Sequence, residues 1–449
     1  MNMVTAIPAK RSKLWPLDGL LRRLVRWGEL TIIDSRGRSH THGEPRANNR
    51  VAIRLKGAAL PLKLLSNPSL ALGEAYMNGR LTIESGDIRQ FLQILTSNIA
   101  ALDDHWLQKM RTKLSRIPLV RNRNRKHRAR ANVAHHYDLS GELYRLFLDA
   151  DRQYSCAYFP TGEETLEEAQ EAKKRHLAAK LLLQPGDTVL DIGSGWGGLA
   201  LELARTAPGV SVQGVTLSTE QLAESRQRAE EQGLADRVRF DLTDYRDVAE
   251  QYDRIVSVGM FEHVGTADYD QFFATVAKAM KPGGVAVLHS IGRRSPPGGA
   301  DPWISEYVFP GGYVPALSEV LPAIERSGLW VTDIEIMRLH YADTLRHWYQ
   351  RFHESRDETR ALYDERFCRM WEFYLAACEM LFRNGDLMVF QIQLAHERDD
   401  VPLTRDYITH YERAHALRRT ALVHDKAEAA TRPTRRGTKK LSPVEGEAA

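Results

Sequence analysis

The sequence predicts an α/β protein: a doubly wound sheet with a helical, aromatic lid, preceded by a smaller α+β domain. Three observations carry that expectation. From about residue 165, strand-length apolar runs alternate with amphipathic helical runs, the rhythm of a largely parallel sheet covered on both faces. The run VLDIGSGWGG, residues 189–198, sets glycines at the turn from a strand to a helix. Charge divides the chain: residues 1–130 hold 25 Lys or Arg against 9 Asp or Glu, a net +16 where the whole chain carries +4.

The 449 residues, 43% of them hydrophobic, suffice for two domains. No apolar run reaches the roughly 18 residues of a spanning helix, and the opening MNMVTAIPAKRSKLW lacks the apolar core of a signal peptide. Cys156, Cys368 and Cys378 have no ligand spacing, which predicts a reducing cytoplasm and neither a disulfide scaffold nor a metal site. The basic front half implies an anionic partner: a membrane surface, a nucleic acid or an acidic face of the same protein.

Residues 1–16 read as a frayed start. Leu17, Leu20, Leu21, Leu24 and Val25 recur at helical spacing, with Arg22, Arg23 and Arg26 mostly elsewhere on the helix. Such a helix lies at an anionic bilayer or packs on its own domain. LTIID and RLTIESGD read as strands of the small domain, residues 17–110, and residues 91–116 as a helix. RNRNRKHRAR (121–130), within a basic linker over 111–130, is a solvated connector or an anion-binding strip. No aromatic residues interleave with it and no nucleic-acid module accompanies it, so phospholipid headgroups fit better than nucleic acid.

The larger domain is expected over 131–424. Its helices are read at 165–183, 197–206, 218–232, 268–280 and 364–383. Its strands are read at 188–193, 210–217, VRFDL, YDRIVSVGM, 285–290 and 386–398, with KPGG (281–284) as a turn. Ser218 is placed to cap the helix that follows it, with Gln221 three residues on. The tail 425–449 reads as disordered.

At the glycine turn, Asp191, Gly193 and Gly195 precede a helix whose free amides and positive dipole end face a ligand. A Rossmann-like sheet binds ligands there, at the carboxyl ends of its strands. The glycine spacing also fits a dinucleotide, or a tight turn and nothing more. Two features favour S-adenosylmethionine. A dinucleotide site wants an acid about 20 residues on, for the ribose, and VQGVTLS has none; Thr216, Ser218 and Gln221 stand there instead. Asp191 suits an ammonium and a sulfonium better than a pyrophosphate. Asp241 is placed to read an adenine amino group, and Trp196 to wall the amino-acid moiety or pack.

Glu262 and His289 close neighbouring strands at the same rim. Cys156 sits in the aromatic segment YSCAYF, where a buried thiol is most often a small hydrophobe. With Tyr137, Tyr154, Tyr158 and Phe159 it outlines an apolar lid suited to a lipid chain.

The segments HHYDLSGELYRLFLD, YSCAYF, VLDIGSGWGGLA, GVTLSTEQ, VGMFEHVG, LHSIGR and HYADTLRHW, in this order, resemble the cyclopropane-fatty-acyl-phospholipid synthases and their mycolic acid methyltransferase relatives, over roughly residues 60–410. The resemblance implies a class I methyltransferase sheet. It implies transfer of a methylene group from S-adenosylmethionine to a cis double bond of a phospholipid acyl chain. It further implies a bound bicarbonate as base, held by Cys156, Glu262, His289, the Ile291 backbone and Tyr341. Tyr137, Gly193, Gly195, Thr216, Ser218 and Gln221 correspond to cofactor contacts. The small domain is implied to engage lipid and form a homodimer, with the enzyme peripheral to the inner face of the cell membrane. Relatives that make methyl- or methylene-branched chains share much of this pattern. A methyltransferase for another small molecule or a nucleic acid is the more distant alternative, supported only by the basic linker.

Overall fold

The structure, a computed structural model, describes residue 14 and residues 17–44, 49–101 and 140–415. Tyr137, the basic strip 111–130, the rest of the 91–116 helix and the tail lie outside the described residues.

Residues 17–101 form a small α+β layer. Helix α1 (Leu17–Leu24) leads into β1 (Glu29–Ile33), β2 (Ser39–His42) and β3 (Arg50–Leu55). Then come α2 (Leu60–Ser66), α3 (Pro68–Met77), β4 (Leu81–Ser85) and α4 (Ile88–Ala101). The sheet runs β2-β1-β3-β4. Period-two alternation buries Leu30, Ile32, Val51, Ile53 and Leu55 on its inner face. The apolar stripe of α1 also turns inward. Leu14, Leu17, Leu21 and Val25 are buried, while Arg22, Arg23 and Arg26 are exposed. The domain's own core therefore occupies the face that a bilayer would need, and packing is the role of this stripe.

The larger layer has seven strands: β5 (Thr188–Ile192), β6 (Ser211–Thr216), β7 (Val238–Leu242), β8 (Tyr252–Val258), β9 (Met280–Arg293), β10 (Trp330–Ile336) and β11 (Leu387–Ala395). Their order is β10-β11-β9-β8-β5-β6-β7. Every pair from β9 to β7 is parallel, and β11 runs antiparallel to both its neighbours. Helices α5 (Gly141–Phe147), α6 (Leu166–Leu181), α7 (Gly198–Thr206), α8 (Thr219–Glu231) and α9 (Tyr269–Ala279) alternate with the first strands. Val189, Leu190 and Ile192 are buried, as a strand covered on both faces requires. Ser218 caps α8, its hydroxyl accepting from the Gln221 amide.

Two expectations change. KPGG does not interrupt the strand: β9 runs through it from Met280 to Arg293. The ladder to β8 instead shifts register, Tyr252 facing Met280 and Arg254 facing Val285, so the extra residues are absorbed as a bulge. The stretch 294–363, unassigned from sequence, folds as α10 (Pro302–Tyr307), α11 (Leu317–Ser327), β10, α12 (His340–Glu354) and α13 (Arg356–Leu362).

Helix α14 (Glu365–Asn384) packs against α3 and α4 of the small layer and against α12 of the large one. The described residues through Leu403 form one compact unit. From Thr404 the chain is a unit of its own, helical over 406–415. Among the described residues no helix is long and apolar enough to cross a membrane.

Candidate active site

The glycine turn forms the mouth of a cavity of about 170 Å3. Gly193 takes φ +83°, and a Cβ there would lie 2.8 Å from Cβ of Met260, so only glycine leaves this wall open. The amides of Gly193 and Ser194 donate to the Val215 carbonyl at 2.9 and 3.1 Å, tying the turn to the end of β6. Asp191, Gly195, Trp196, Thr216 and Gln221 line the same cavity. Asp191 is buried, and one of its carboxylate oxygens, Oδ2, has no partner. Burial pushes its carboxyl up to about 7, opposed by Lys173.

Thr216 Oγ1 donates to Gln221 Oε1 at 3.1 Å and receives the Ser218 amide at 3.2 Å. Ser218 thus serves the helix cap and orients Thr216 and Gln221, without lining the cavity itself. Trp196 lies between the Tyr144 ring, at 5.0 Å, and the Arg152 guanidinium, at 5.7 Å. Arg152, a non-glycine residue at φ +55°, is held there by an ion pair with Glu224.

Asp241 is not in the cavity. Its side chain is 36% exposed, accepts from Gln213 at 2.8 Å and sits near Arg226 and Arg239. Asp244 lines the cavity instead, its carboxylate held by both the backbone and the guanidinium of Arg246. The strand pleat explains the difference: Asp241 faces away, and the chain turns inward only after β7 ends. Counting from the strand finds Asp241; only the turn reveals Asp244.

The second group of residues forms behind this mouth. Glu262 sits in a short 3-10 turn after β8, and its Oε1 accepts the Ile291 amide at 2.6 Å. Its Oε2 is buried without a partner. Burial pushes the Glu262 carboxyl up to about 7, against the lowering effect of that amide. Tyr341, in the first turn of α12, is buried, and its phenol is held far above its usual range by desolvation and by Tyr154, Cys156 and Glu262 nearby. The Cys156 thiol is buried and pushed well up, so it keeps its proton. Glu262 sits on the Ile291 amide with Tyr341 near it, and Cys156 is near Tyr341, so these groups form one buried polar cluster, or chamber. His289 is two residues before Ile291 on β9, and burial holds its imidazole neutral.

The sequence did not single out Lys173. This α6 residue is fully buried, its ammonium 2.6 Å from Gln153 Oε1 and 2.9 Å from Ser155 Oγ. Desolvation pulls it down to about 8, and it faces Asp191, Cys156 and His289. A Lys in an amphipathic helix reads as surface, so nothing in its spacing marks it.

Of the residues expected in the lid, Tyr154 joins an aromatic cluster, while Tyr158 stacks on His176 and Phe159 on His347. The rings of Tyr154 and Trp348 stack at 5.1 Å, and Phe147 meets Trp348 and Trp371 edge-on at 6.0 and 5.8 Å. The Tyr154 hydroxyl is 3.0 Å from that of Tyr374. An unpaired buried carboxylate at a glycine turn fits a cationic cofactor. Proton-bearing groups around Glu262 Oε2 fit a small oxyanion.

Residues 124–392 match the mycolic acid cyclopropane synthetase family, and residues 30–102 match a domain of unknown function. The chain is 40% identical to the Escherichia coli cyclopropane-fatty-acyl-phospholipid synthase, over 76% of this chain and 86% of that protein. It is 37% identical to the tuberculostearic acid methyltransferase UfaA1 of Mycobacterium tuberculosis, over 84% and 90%. Among solved structures, the cyclopropane synthase MmaA2 of Mycobacterium tuberculosis superposes with a TM-score of 0.56 at 36% identity, covering 59% of this chain and 98% of that one. The mycolic acid cyclopropane synthase CmaA1, complexed with SAH and CTAB, superposes with a TM-score of 0.55 at 35% identity, covering 59% and 97%.

Proposed function

The chain belongs to the mycolic acid cyclopropane synthetase family, S-adenosylmethionine-dependent methyltransferases, and from that premise we propose that it cyclopropanates cis-unsaturated acyl chains of membrane phospholipids. The observation that carries this reading is the Glu262–Ile291 contact, which leaves a buried carboxylate oxygen on a residue near Tyr341, whose phenol keeps its proton, with Cys156 near that phenol in turn.

S-adenosylmethionine, when bound, supplies an electrophilic methyl group, and bicarbonate, when bound, supplies the base that ring closure needs. The chain's own residues do the rest. Asp191, Thr216 and Gln221 orient the cofactor at the turn. The ring of Tyr154, backed by Trp348, walls the acceptor side and excludes water from a cationic transition state. His289, Tyr341 and a protonated Glu262 offer hydrogen bonds to an oxyanion that a lone carboxylate would repel, while the Ile291 amide holds Glu262 Oε1 and Cys156, whose thiol donates to the Ala157 carbonyl, walls the site. Tyr137, by its motif, completes the cofactor site.

The basic residues of the front half hold the enzyme reversibly on an anionic bilayer, at the inner face of the cell membrane, where its phospholipid substrate lies. In keeping with the family resemblance, it acts as a homodimer.

The test is chromatographically resolved mass spectrometry of fatty acids after incubation with S-adenosylmethionine and vesicles of unsaturated phospholipid. A cyclopropane product is expected; a cofactor-bound enzyme that forms no product overturns the reading. A second reading, methyl branching without ring closure, is favoured by the longer match to the tuberculostearic acid methyltransferase. A branched product in the same assay establishes it.

A further inference from the structure

Across the antiparallel ladder of β9 and β11, Gln391 pairs directly with His289. Both side chains are buried on one face of the sheet. The Gln391 Nε2 lies 3.1 Å from Nδ1 of His289 and 3.2 Å from Sδ of Met337. A thioether sulfur only accepts hydrogen bonds, which places the NH2 group toward it, in an orientation that leaves Gln391 Oε1 buried without a partner. Met337 is itself fixed, buried and tied through its amide to the Val389 carbonyl at 2.8 Å. One amide hydrogen therefore points to sulfur and the other to Nδ1. A ring nitrogen that accepts a hydrogen bond carries no proton, so in the neutral ring the proton sits on Nε2.

We propose that Gln391 is a positioning residue that locks His289 in the Nε2–H tautomer, making His289 a hydrogen-bond donor to the chamber and removing it as the base of ring closure. Resting on the function proposed above, this assigns His289 to holding an oxyanion. The surroundings agree. Lys173, His176 and Lys180 all face His289 from α6, and a second proton on the ring would meet their charge. Glu335 is paired with Lys180 at 2.5 Å and His176 at 2.8 Å, and is not among the groups acting on His289.

The test is nitrogen NMR of the full chain labelled at histidine, with the His289 signals identified by their loss in His289→Asn. The expected wild-type ring has a bare Nδ1 and a proton-bearing Nε2 at pH 7. A proton on Nδ1, or an imidazolium, overturns the assignment. Neutron diffraction from wild-type crystals reads the same proton should that variant not fold. Gln391→Met keeps the volume and removes the donor. It is expected to show mixed tautomers and a kcat lowered on the order of ten-fold, with cofactor affinity unchanged. A variant that keeps the wild-type tautomer overturns the role of Gln391. Mixed tautomers with undiminished product formation leave the tautomer assignment standing and overturn instead the proposed part of His289 in the reaction.

Discussion

The guanidinium of Arg89 clasps the carboxylate of Glu379 through two hydrogen bonds, at 2.7 and 2.8 Å, joining α4 of the small layer to α14. Glu379 has no exposure to solvent, and Arg383 reaches the same carboxylate at 3.0 Å. Removing one partner of a buried pair leaves an undercompensated charge. Arg89→Ala is therefore expected to cost about 3 kcal/mol in denaturant unfolding. Replacing Arg89 and Glu379 together by Met should recover much of that loss. A single variant as stable as the wild type would show that Arg383 suffices.

Glu262→Gln and His289→Ala are expected to lower product formation by at least about a hundred-fold, because both act on the hydrogen bonding of the deprotonation step. Binding of S-adenosylhomocysteine, followed by calorimetry, should change less than about two-fold, since neither residue lines the glycine-turn cavity. A large loss of affinity would move both residues to the cofactor site.

Asp191 gives a pH signature. Its carboxyl, raised to about 7 by burial, binds more protons in the folded than in the unfolded chain between about pH 4 and 7. Its contribution to stability therefore falls as pH rises through that window and stays unfavourable above it. A cationic cofactor favours the ionised form, so binding near pH 6.5 should release a proton and tighten as pH rises. Calorimetry in buffers of different ionisation enthalpy measures that release. It should persist in Glu262→Gln and vanish in Asp191→Asn.

Vesicle flotation checks the membrane contact. Binding should fall with salt and with the anionic lipid fraction, and neutral vesicles should bind far less. With the α1 stripe buried, the apolar candidates include Leu20 and Leu62, 48% and 58% exposed. Changing both to Ser should weaken binding while leaving the salt slope, set by the Arg and Lys residues, nearly unchanged.

Much of the large layer was legible in the sequence. Strands β5, β6 and β8 announce themselves as short apolar runs, and Ser218 marks its helix by local cap chemistry. The turn around Gly193 and Gly195 was legible because only glycine relieves its sterics. What stayed hidden depends on register and distance. The Glu262–Ile291 contact joins residues 29 apart, and the Gln391–His289 pairing joins residues 102 apart across an antiparallel strand. Asp241 is legible at the end of its strand and Asp244 is not, because alternation tells which faces differ, not where the chain bends once the strand ends. Residues 294–363 lack the alternating rhythm, since their helices cover one end of the sheet instead of linking successive parallel strands.

Helix α14 serves two neighbourhoods at once. Glu372 and Glu379 bind Tyr76 and Arg89 of the small layer, while Trp371 and Tyr374 on the same helix brace the aromatic lid. The small layer is thus a foundation for the chamber wall, not an appendage. Cutting the chain before the large layer would bare two buried acids on the beam that carries the Tyr374 hydroxyl to Tyr154. An isolated large layer would inherit every reactive group and lose the footing that keeps them in place.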